Sequence, residues 1–322
     1  MKKPEIRKDY VQEKYVIIAP KRGKRPHDVE RPECAHKEVK KSCVFCPENI
    51  NKEKYLLNVG PQKKWKIKVL PNIFPAVSLD NPKAYGQQEV VIETPNHQPE
   101  LDDLSVSHIA TLLEVYAKRT EALMKNKDIE YILIFKNNGG SAGASLQHSH
   151  SQIFATKFLP PHLFDKSQKV QEYRLHHGSC VYCDAIRDES KSSRLVYRGK
   201  YVVAFTPYAS MHNYEIWILP LRHIDNITEL TGPERKEWAM IMKKVLNQIT
   251  RLGLPYNYYF HQVRYDEDQH LYMKIKPRGS VWAGVEIGSG LIINPVSPED
   301  AAGYYRRAFV KSKKKAVSKK KK

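Results

Sequence analysis

Hydrophobic and polar positions change period several times along this chain, and the changes come in the same order twice. In the first half the apolar run "EVVIETPNH" reads as a strand ending at His97. Ile109, Leu112, Leu113, Tyr116 and Leu123 then recur at helical spacing, which predicts an amphipathic helix from about Asp102 to Asn126. A strand "YILIFKN" follows and leads to His148. In the second half "YEIWILPLRH" predicts a strand ending at His223. A helix starts at "TGPE", where Thr231 and Glu234 have capping-box spacing and Pro233 stands in the first turn. Its stripe is Trp238, Ile241, Met242, Val245, Ile249 and Leu252, and the strand "YNYYFHQV" then leads to His270.

Each half also opens with a C-x-x-C pair, Cys43 with Cys46 and Cys180 with Cys183. His97 and His148 follow Cys46 at successive steps of 51 residues, and His223 and His270 follow Cys183 at steps of 40 and 47. A pattern repeated at so long a period is a duplication and not a solenoid. It predicts an α+β fold of two tandem units, each an antiparallel sheet with one long packed helix. "FLPPHLFDK" (158–166) breaks the periodic pattern and marks the join. The expected domains are residues 1–160, carrying catalysis, and 161–310, followed by a lysine-rich tail over 311–322.

Length and composition agree with two cores: 322 residues, 41% of them hydrophobic. Of the net charge of +19, eight lysines in the last twelve residues supply a large share. That tail cannot bury apolar surface and is expected to be disordered. The basic body suits a polyanionic ligand such as a nucleotide sugar. The tail leaves room for nucleic-acid contact, and a nucleic-acid-associated zinc protein is the contrasting reading. Against it, the cysteines and histidines lie about 50 residues apart, where compact zinc fingers place theirs within about 25. An aromatic-basic RNA motif is also lacking. Without an apolar leader or a bilayer-length apolar window, the chain is expected to be cytoplasmic, with reduced thiols and no membrane partner.

Two cysteines with two histidines make the ligand set of structural zinc. The first expected site is Cys43, Cys46, His97 and His148. The second is Cys180, Cys183, His223 and His270, with His212 and His261 as nearby competitors. A redox C-x-x-C would need no matched histidines. Iron or cobalt suits the same ligands.

Chemistry concentrates in "NNGGSAGASLQHSHSQIFA" (137–155). A strand runs into a Gly/Ser/Ala turn whose small residues let backbone N–H groups approach an anion. The chain then re-enters a strand on which His148, His150 and Gln152 share one face. Neutral imidazole is a nucleophile toward phosphorus near pH 7. His148 would anchor through metal and His150 would attack, while the amides of residues 139–145 and of Gln152 stabilise phosphoryl oxygens. In the second half Tyr272 stands in place of His150 and Lys274 in place of Gln152, so one catalytic strand per chain is expected.

With these motifs the chain resembles the galactose-1-phosphate uridylyltransferase family of the histidine-triad superfamily over about residues 5–305. The family's H-x-H-x-Q stands here as H-S-H-S-Q (148–152), which differs from the common H-P-H-G-Q. It is similar to the branch that includes ADP-glucose phosphorylase-like proteins. The resemblance implies phosphate contacts by Arg22 and Arg25 in "PKRGKRP". It also implies substrate contacts by Asn72 in "NIFPAV", by Asn137, Gly143 and Ser145 in "FKNNGGSAGAS", and by Glu286 in the hexose-binding end "WAGVEIGSGL". It further implies a ping-pong reaction. His150 takes the nucleotidyl group of a UDP-hexose and releases hexose 1-phosphate, Gln152 holds the phosphoryl oxygen, and a second sugar 1-phosphate accepts the group. With inorganic phosphate as acceptor the same chemistry is a nucleotide-sugar phosphorylase. A homodimer holding zinc at two sites per chain completes the expectation. A histidine-triad hydrolase would favour histidine at position 152.

Overall fold

The structure, a computed structural model, describes residues 3–24, 43–50, 54–264 and 266–310. Arg25 and the lysine-rich tail lie outside the described residues. The chain begins with a hairpin of β1 (Glu5–Lys8) and β2 (Tyr15–Ile18). The first half then supplies α1 (Pro47–Ile50), β3 (Leu57–Val59), β4 (Ile67–Pro71), β5 (Gly86–Ile92), α2 (Val106–Met124), β6 (Tyr131–Asn138) and β7 (His150–Thr156). The second half supplies α3 (Pro161–His177), α4 (Val181–Glu189), β8 (Leu195–Arg198), β9 (Val202–Phe205), β10 (Ile216–Pro220), α5 (Gly232–Arg251), β11 (Tyr256–His261) and β12 (Tyr272–Pro277). After α6 (Gly284–Ser289), β13 (Ile292–Asn294) pairs in parallel with β2, and α7 (Pro298–Arg306) follows.

Ten strands form one antiparallel sheet in the order β3-β4-β5-β7-β6-β11-β12-β10-β9-β8. The order is symmetric about its middle, as a duplication requires. Each half contributes five strands, and β6 pairs with β11 from Asn138↔Tyr256 to Phe135↔Tyr259 at the seam. The fold is thus the expected α+β arrangement, with the two half-sheets continuous. On one face α2 and α5 pack side by side. Leu112, Leu113 and Tyr116 meet Trp238, Met242 and Val245 over Ile134, Ile153, Phe260 and Ile275 in one buried cluster. Each such apolar side chain removed from water stabilises the fold by about 1.5–3 kcal/mol. Among the described residues no helix is long and apolar enough to cross a membrane.

Several boundaries differ from expectation for local reasons. The first helix starts at Val106 and not near Asp102, because the Ser105 hydroxyl accepts from His108 N–H and so fixes the N-cap. Strands β5 and β10 end before His97 and His223, which therefore stand in loops. Pro95 lies in the first of these loops and has no N–H to extend a ladder. The two prolines read as a break start a helix instead: Pro161 opens α3, where its missing N–H costs nothing. The second long helix carries the expected capping box, with Glu234 N–H donating to Thr231 Oγ1 and Thr231 N–H to the Glu234 carboxylate.

Thr231→Ala should therefore cost about 1 kcal/mol of unfolding free energy in a denaturant titration. An unchanged midpoint would contradict the capping role.

Candidate active site

The loop between β6 and β7 is built around two left-handed glycines, Gly139 at φ 85° and Gly143 at φ 88°. A Cβ on Gly139 would also sit 2.8 Å from Pro255 Cβ, so only glycine fits there. Asn257 on β11 secures the loop across the seam, its Nδ2 donating to Asn137 Oδ1 at 2.8 Å and to the Ala142 carbonyl at 2.7 Å. Asn137 Nδ2 in turn reaches the Gly143 carbonyl at 3.5 Å. The result is a cavity of about 590 Å³ lined by Lys136, Asn137, Gly139, Ser145, His148 and His150.

His150 is 7% exposed and opens β7. Its Nδ1 donates to the His148 carbonyl at 2.8 Å, which leaves the lone pair on Nε2. Burial and the nearby Lys136 cation push its pKa below the usual 6.5, so the ring is neutral at pH 7 and competent as a nucleophile. Phe45 rests tilted against it with ring centroids 5.2 Å apart. Gln152 follows on the same face of the strand. Its Oε1 accepts from Gln88 Nε2 at 2.9 Å, leaving its amide hydrogens for another acceptor. Gln88 also connects Gln152 to the Asn72 segment: its carbonyl accepts from Asn72 N–H and its Oε1 from Ala76 N–H.

The serines of H-S-H-S-Q face the other way, into a buried polar network that the sequence reading missed. Lys136 Nζ, almost fully buried, donates to Glu93 Oε2 at 2.7 Å, to Ser149 Oγ at 2.9 Å and to the His150 carbonyl at 3.2 Å. Ser151 Oγ accepts from Tyr116 on α2 at 2.6 Å, and Tyr116 OH lies 2.8 Å from Tyr258 OH. Burial alone would raise the Glu93 pKa, but Lys136 and Ser149 overcome it and hold the carboxylate below its usual range. Burial likewise opposes the Lys136 charge, and Glu100 and Glu93 restore it. The signal in sequence was Lys136 at the core phase of β6, two residues beyond Ile134.

The four residues expected at the first metal site come together and are all buried. Cys43 Sγ lies 3.5 Å and Cys46 Sγ 3.8 Å from His148 Nδ1, and Cys46 Sγ lies 3.6 Å from His97 Nδ1. A tetrahedral zinc with ordinary Zn–S and Zn–N bonds spaces such ligand atoms by about 3.6 Å. His148 Nε2 donates to the Thr94 carbonyl at 2.7 Å, the outer contact that fixes a ligating tautomer. His97 Nε2 is buried without a partner. The donor set fits a metal ion.

At the second site the structure gathers Cys180, Cys183 and His223 but not His270. His223 Nδ1 lies 3.3 Å from Cys183 Sγ and its Nε2 donates to the Glu267 carbonyl. The Cys180 thiol is pushed down to about 5 by its contacts with Cys183 and His223, which favours the metal-binding thiolate. His270 stands just outside, its ring 5.1 Å from that of His223. Its Nε2 is held by the Pro220 carbonyl and its face by Tyr182, while its buried Nδ1 has no partner. Neither His212 nor His261 belongs to the group.

Arg22 and Glu286 do not line the His150 cavity of their own chain. Arg22 is exposed on the turn after β2. Glu286 caps the Ala283 N–H at 2.9 Å. Burial raises its pKa, but backbone N–H groups and Arg22 together hold it below the usual carboxylate range.

A family model described as galactose-1-phosphate uridyl transferase, N-terminal domain, matches residues 72–160. An ADP-glucose phosphorylase of Arabidopsis thaliana is 33% identical over 332 residues, covering 94% of this chain and 92% of that protein. A galactose-1-phosphate uridylyltransferase of Thermotoga maritima is 29% identical, covering 95% and 99%. The solved structure of an ADP-glucose phosphorylase from Arabidopsis thaliana with bound ADP-glucose matches with a TM-score of 0.84 at 32% identity, covering 94% of this chain and 99% of the other.

Lys136→Met should destabilise the protein by about 3–5 kcal/mol, since it leaves Glu93 buried and unpaired. Adding Glu93→Gln should recover part of that loss. Because the folded-state pKa of Glu93 is depressed, the pair's contribution is complete above the ordinary carboxylate value of 4.5 and is lost as pH falls. Denaturant titrations of parent and double variant from about pH 6 down to about pH 3, a range that spans the carboxylate reference value, check this. Parallel pH profiles for the two would contradict it.

Proposed function

Because the chain belongs to the galactose-1-phosphate uridylyltransferase family, we propose that it transfers a nucleoside monophosphate from a nucleotide sugar to a phosphate-bearing acceptor through His150. The observation that carries this reading is the imidazole itself: neutral, tied at Nδ1, and open at Nε2 to a glycine-rich cavity. In the first step Nε2 attacks the α-phosphorus, and the bond from that phosphorus to the bridging oxygen breaks. Sugar 1-phosphate leaves with the bond electrons, and the nucleotidyl group stays on Nε2. The imidazolium formed keeps its Nδ1 proton on the His148 carbonyl, which favours the positive charge. Amides of the glycine loop and the Gln152 side chain oppose the charge on the phosphoryl oxygens. In the second step an acceptor phosphate oxygen attacks the same phosphorus and frees Nε2. Galactose 1-phosphate as acceptor gives the uridylyltransferase reaction. Inorganic phosphate gives a phosphorylase, a reading favoured by the 33% identity to the Arabidopsis ADP-glucose phosphorylase.

Zinc is the metal this reading assigns to Cys43, Cys46, His97 and His148, and to Cys180, Cys183, His223 and His270, whose orphaned Nδ1 would supply the fourth ligand. At both sites its role is structural. The reducing cytoplasm would keep these thiols available. A homodimer belongs to the same proposal. Val281, Trp282, Val285 and Ile287 around Glu286 are exposed, an apolar surface suited to a second copy. Such contact would let Arg22 and Glu286 meet substrate bound at another chain's cavity.

The kinetic test is exchange. Labelled sugar 1-phosphate should enter the nucleotide sugar without any second acceptor, and initial rates should give parallel double-reciprocal lines. His150→Ala should abolish exchange by roughly 10³-fold or more. Intersecting lines together with exchange surviving in His150→Ala would sink the proposal. Comparing UDP-glucose with ADP-glucose, and galactose 1-phosphate with phosphate, names the base and acceptor. Elemental analysis should find about two zinc ions per chain, and removing them should lower the melting temperature by several degrees or more, as for structural zinc. A metal-free protein that melts as before would contradict the structural role.

A further inference from the structure

Beside the His150 cavity, on the face of the sheet opposite α2 and α5, lies a second cavity of about 540 Å³ that shares Asn137 with the first. Its floor includes Tyr272, Lys274 and Lys276 of β12, the duplicated counterpart of His150, Gln152 and Phe154 on β7. Where the first copy presents a nucleophile, the second presents two ammonium groups. Lys166 on α3 and Lys14 from the turn between β1 and β2 bring two more.

Among the described residues none of these four lysines has a carboxylate partner. Lys274 is 8% exposed. It lies 3.8 Å above the Trp217 ring and makes no hydrogen bond within the described residues. Lys166 is buried too, donating to the Tyr272 hydroxyl with its ammonium 4.4 Å above the Tyr272 ring. Burial and Lys274 drive its pKa well below the usual 10.5. The nearby carboxylates act on these lysines only from beyond ion-pair distance, Glu215 on Lys274 and Lys276 and Asp9 on Lys14 and Lys166. Glu215 accepts from the Met211 and His212 amides and from Trp217 Nε1, and Asp9 accepts from the Val11 and Gln12 amides. Buried cations without an ion-paired carboxylate are costly, and Lys166 and Lys274 are two of them side by side. An anion in the cavity meets these two together with half-buried Lys276 and exposed Lys14. The wall beside them is apolar, with Leu133, Phe135 and Phe154, a surface for a ring rather than for a bare ion.

We propose that this cavity is a second binding site, for a small phosphomonoester carried on a ring, held by Lys14, Lys166, Lys274 and Lys276. The proposal does not depend on the reaction assigned to His150. Pyridoxal 5′-phosphate is a suitable probe, being a phosphomonoester on a ring with an aldehyde. A lysine amine condenses with the aldehyde, releasing water, and borohydride delivers hydride to the imine carbon to fix the label. Peptide mass spectrometry then locates it. Label should concentrate on Lys166 and Lys274. Glucose 1-phosphate or AMP, at ten times its dissociation constant, should slow that labelling about tenfold, and the more effective ester tells a sugar phosphate from a nucleotide. Lys276→Met should weaken the protection of Lys166 about tenfold, the loss of one charge-assisted contact. Label scattered over surface lysines, or indifferent to both esters, or protected equally well in Lys276→Met, would overturn the proposal.

Discussion

Successive side chains on β7 leave the sheet on opposite faces, and the rest of the site depends on that alternation. His150 faces the cavity beside the glycine loop and Gln152 shares its face of the strand, while Ser149 and Ser151 reach back toward α2 and the core. A one-residue slip would bury His150 and expose the serines. Register is therefore what the surrounding polar groups guard. Lys136 binds Ser149 and the His150 carbonyl from β6, Tyr116 binds Ser151 from α2, and Gln88 binds Gln152 from β5. Each bond is satisfied in one register only. Buried networks of this kind are costly when half made, which turns them into a strong preference for a single arrangement.

The first Cys/His cluster acts on the same strand from outside the sheet. His148 lies two residues before His150, and its ring is held between two cysteine sulfurs and the Thr94 carbonyl. The His148 carbonyl is also the acceptor that sets the His150 tautomer. One residue thus links the cysteine segment to the reactive nitrogen. The duplicated half keeps the same device: Nε2 of His223 and of His270 each donates to a backbone carbonyl, with Nδ1 turned from it. What it has not kept is the histidine at the place of His150. Tyr272 closes that position and Lys274 follows it, so the second copy carries a phenol and an ammonium group there.

Much of this was legible in the sequence because local rules and global packing agree. The stripes of Ile109 to Leu123 and of Trp238 to Ile249 became buried helix faces, and the Thr231–Glu234 box formed as its spacing required. The gathering of Cys43, Cys46, His97 and His148 and the glycine loop were also readable, since ligand type and small-residue runs carry their own chemistry. Boundaries were less so. Ser105 displaced the start of α2, and the prolines at 160 and 161 opened a helix where they read as a break. Least legible were long-range facts. Pairing of β6 with β11 joins two half-sheets that each look self-contained, and only that seam places Asn257 against Asn137. The Glu93–Lys136 pair looked like two unrelated charges in apolar strands until β5 and β6 were placed on either side of β7.

The central claim is that His150 Nε2 carries the nucleotidyl group. Intact mass spectrometry under neutral, acid-free conditions, after mixing with UDP-glucose or ADP-glucose, tests it most directly. The account predicts a mass increase equal to a UMP or AMP residue in the parent protein and none in His150→Ala. No adduct with either nucleotide sugar, or an adduct that persists in His150→Ala, would contradict it.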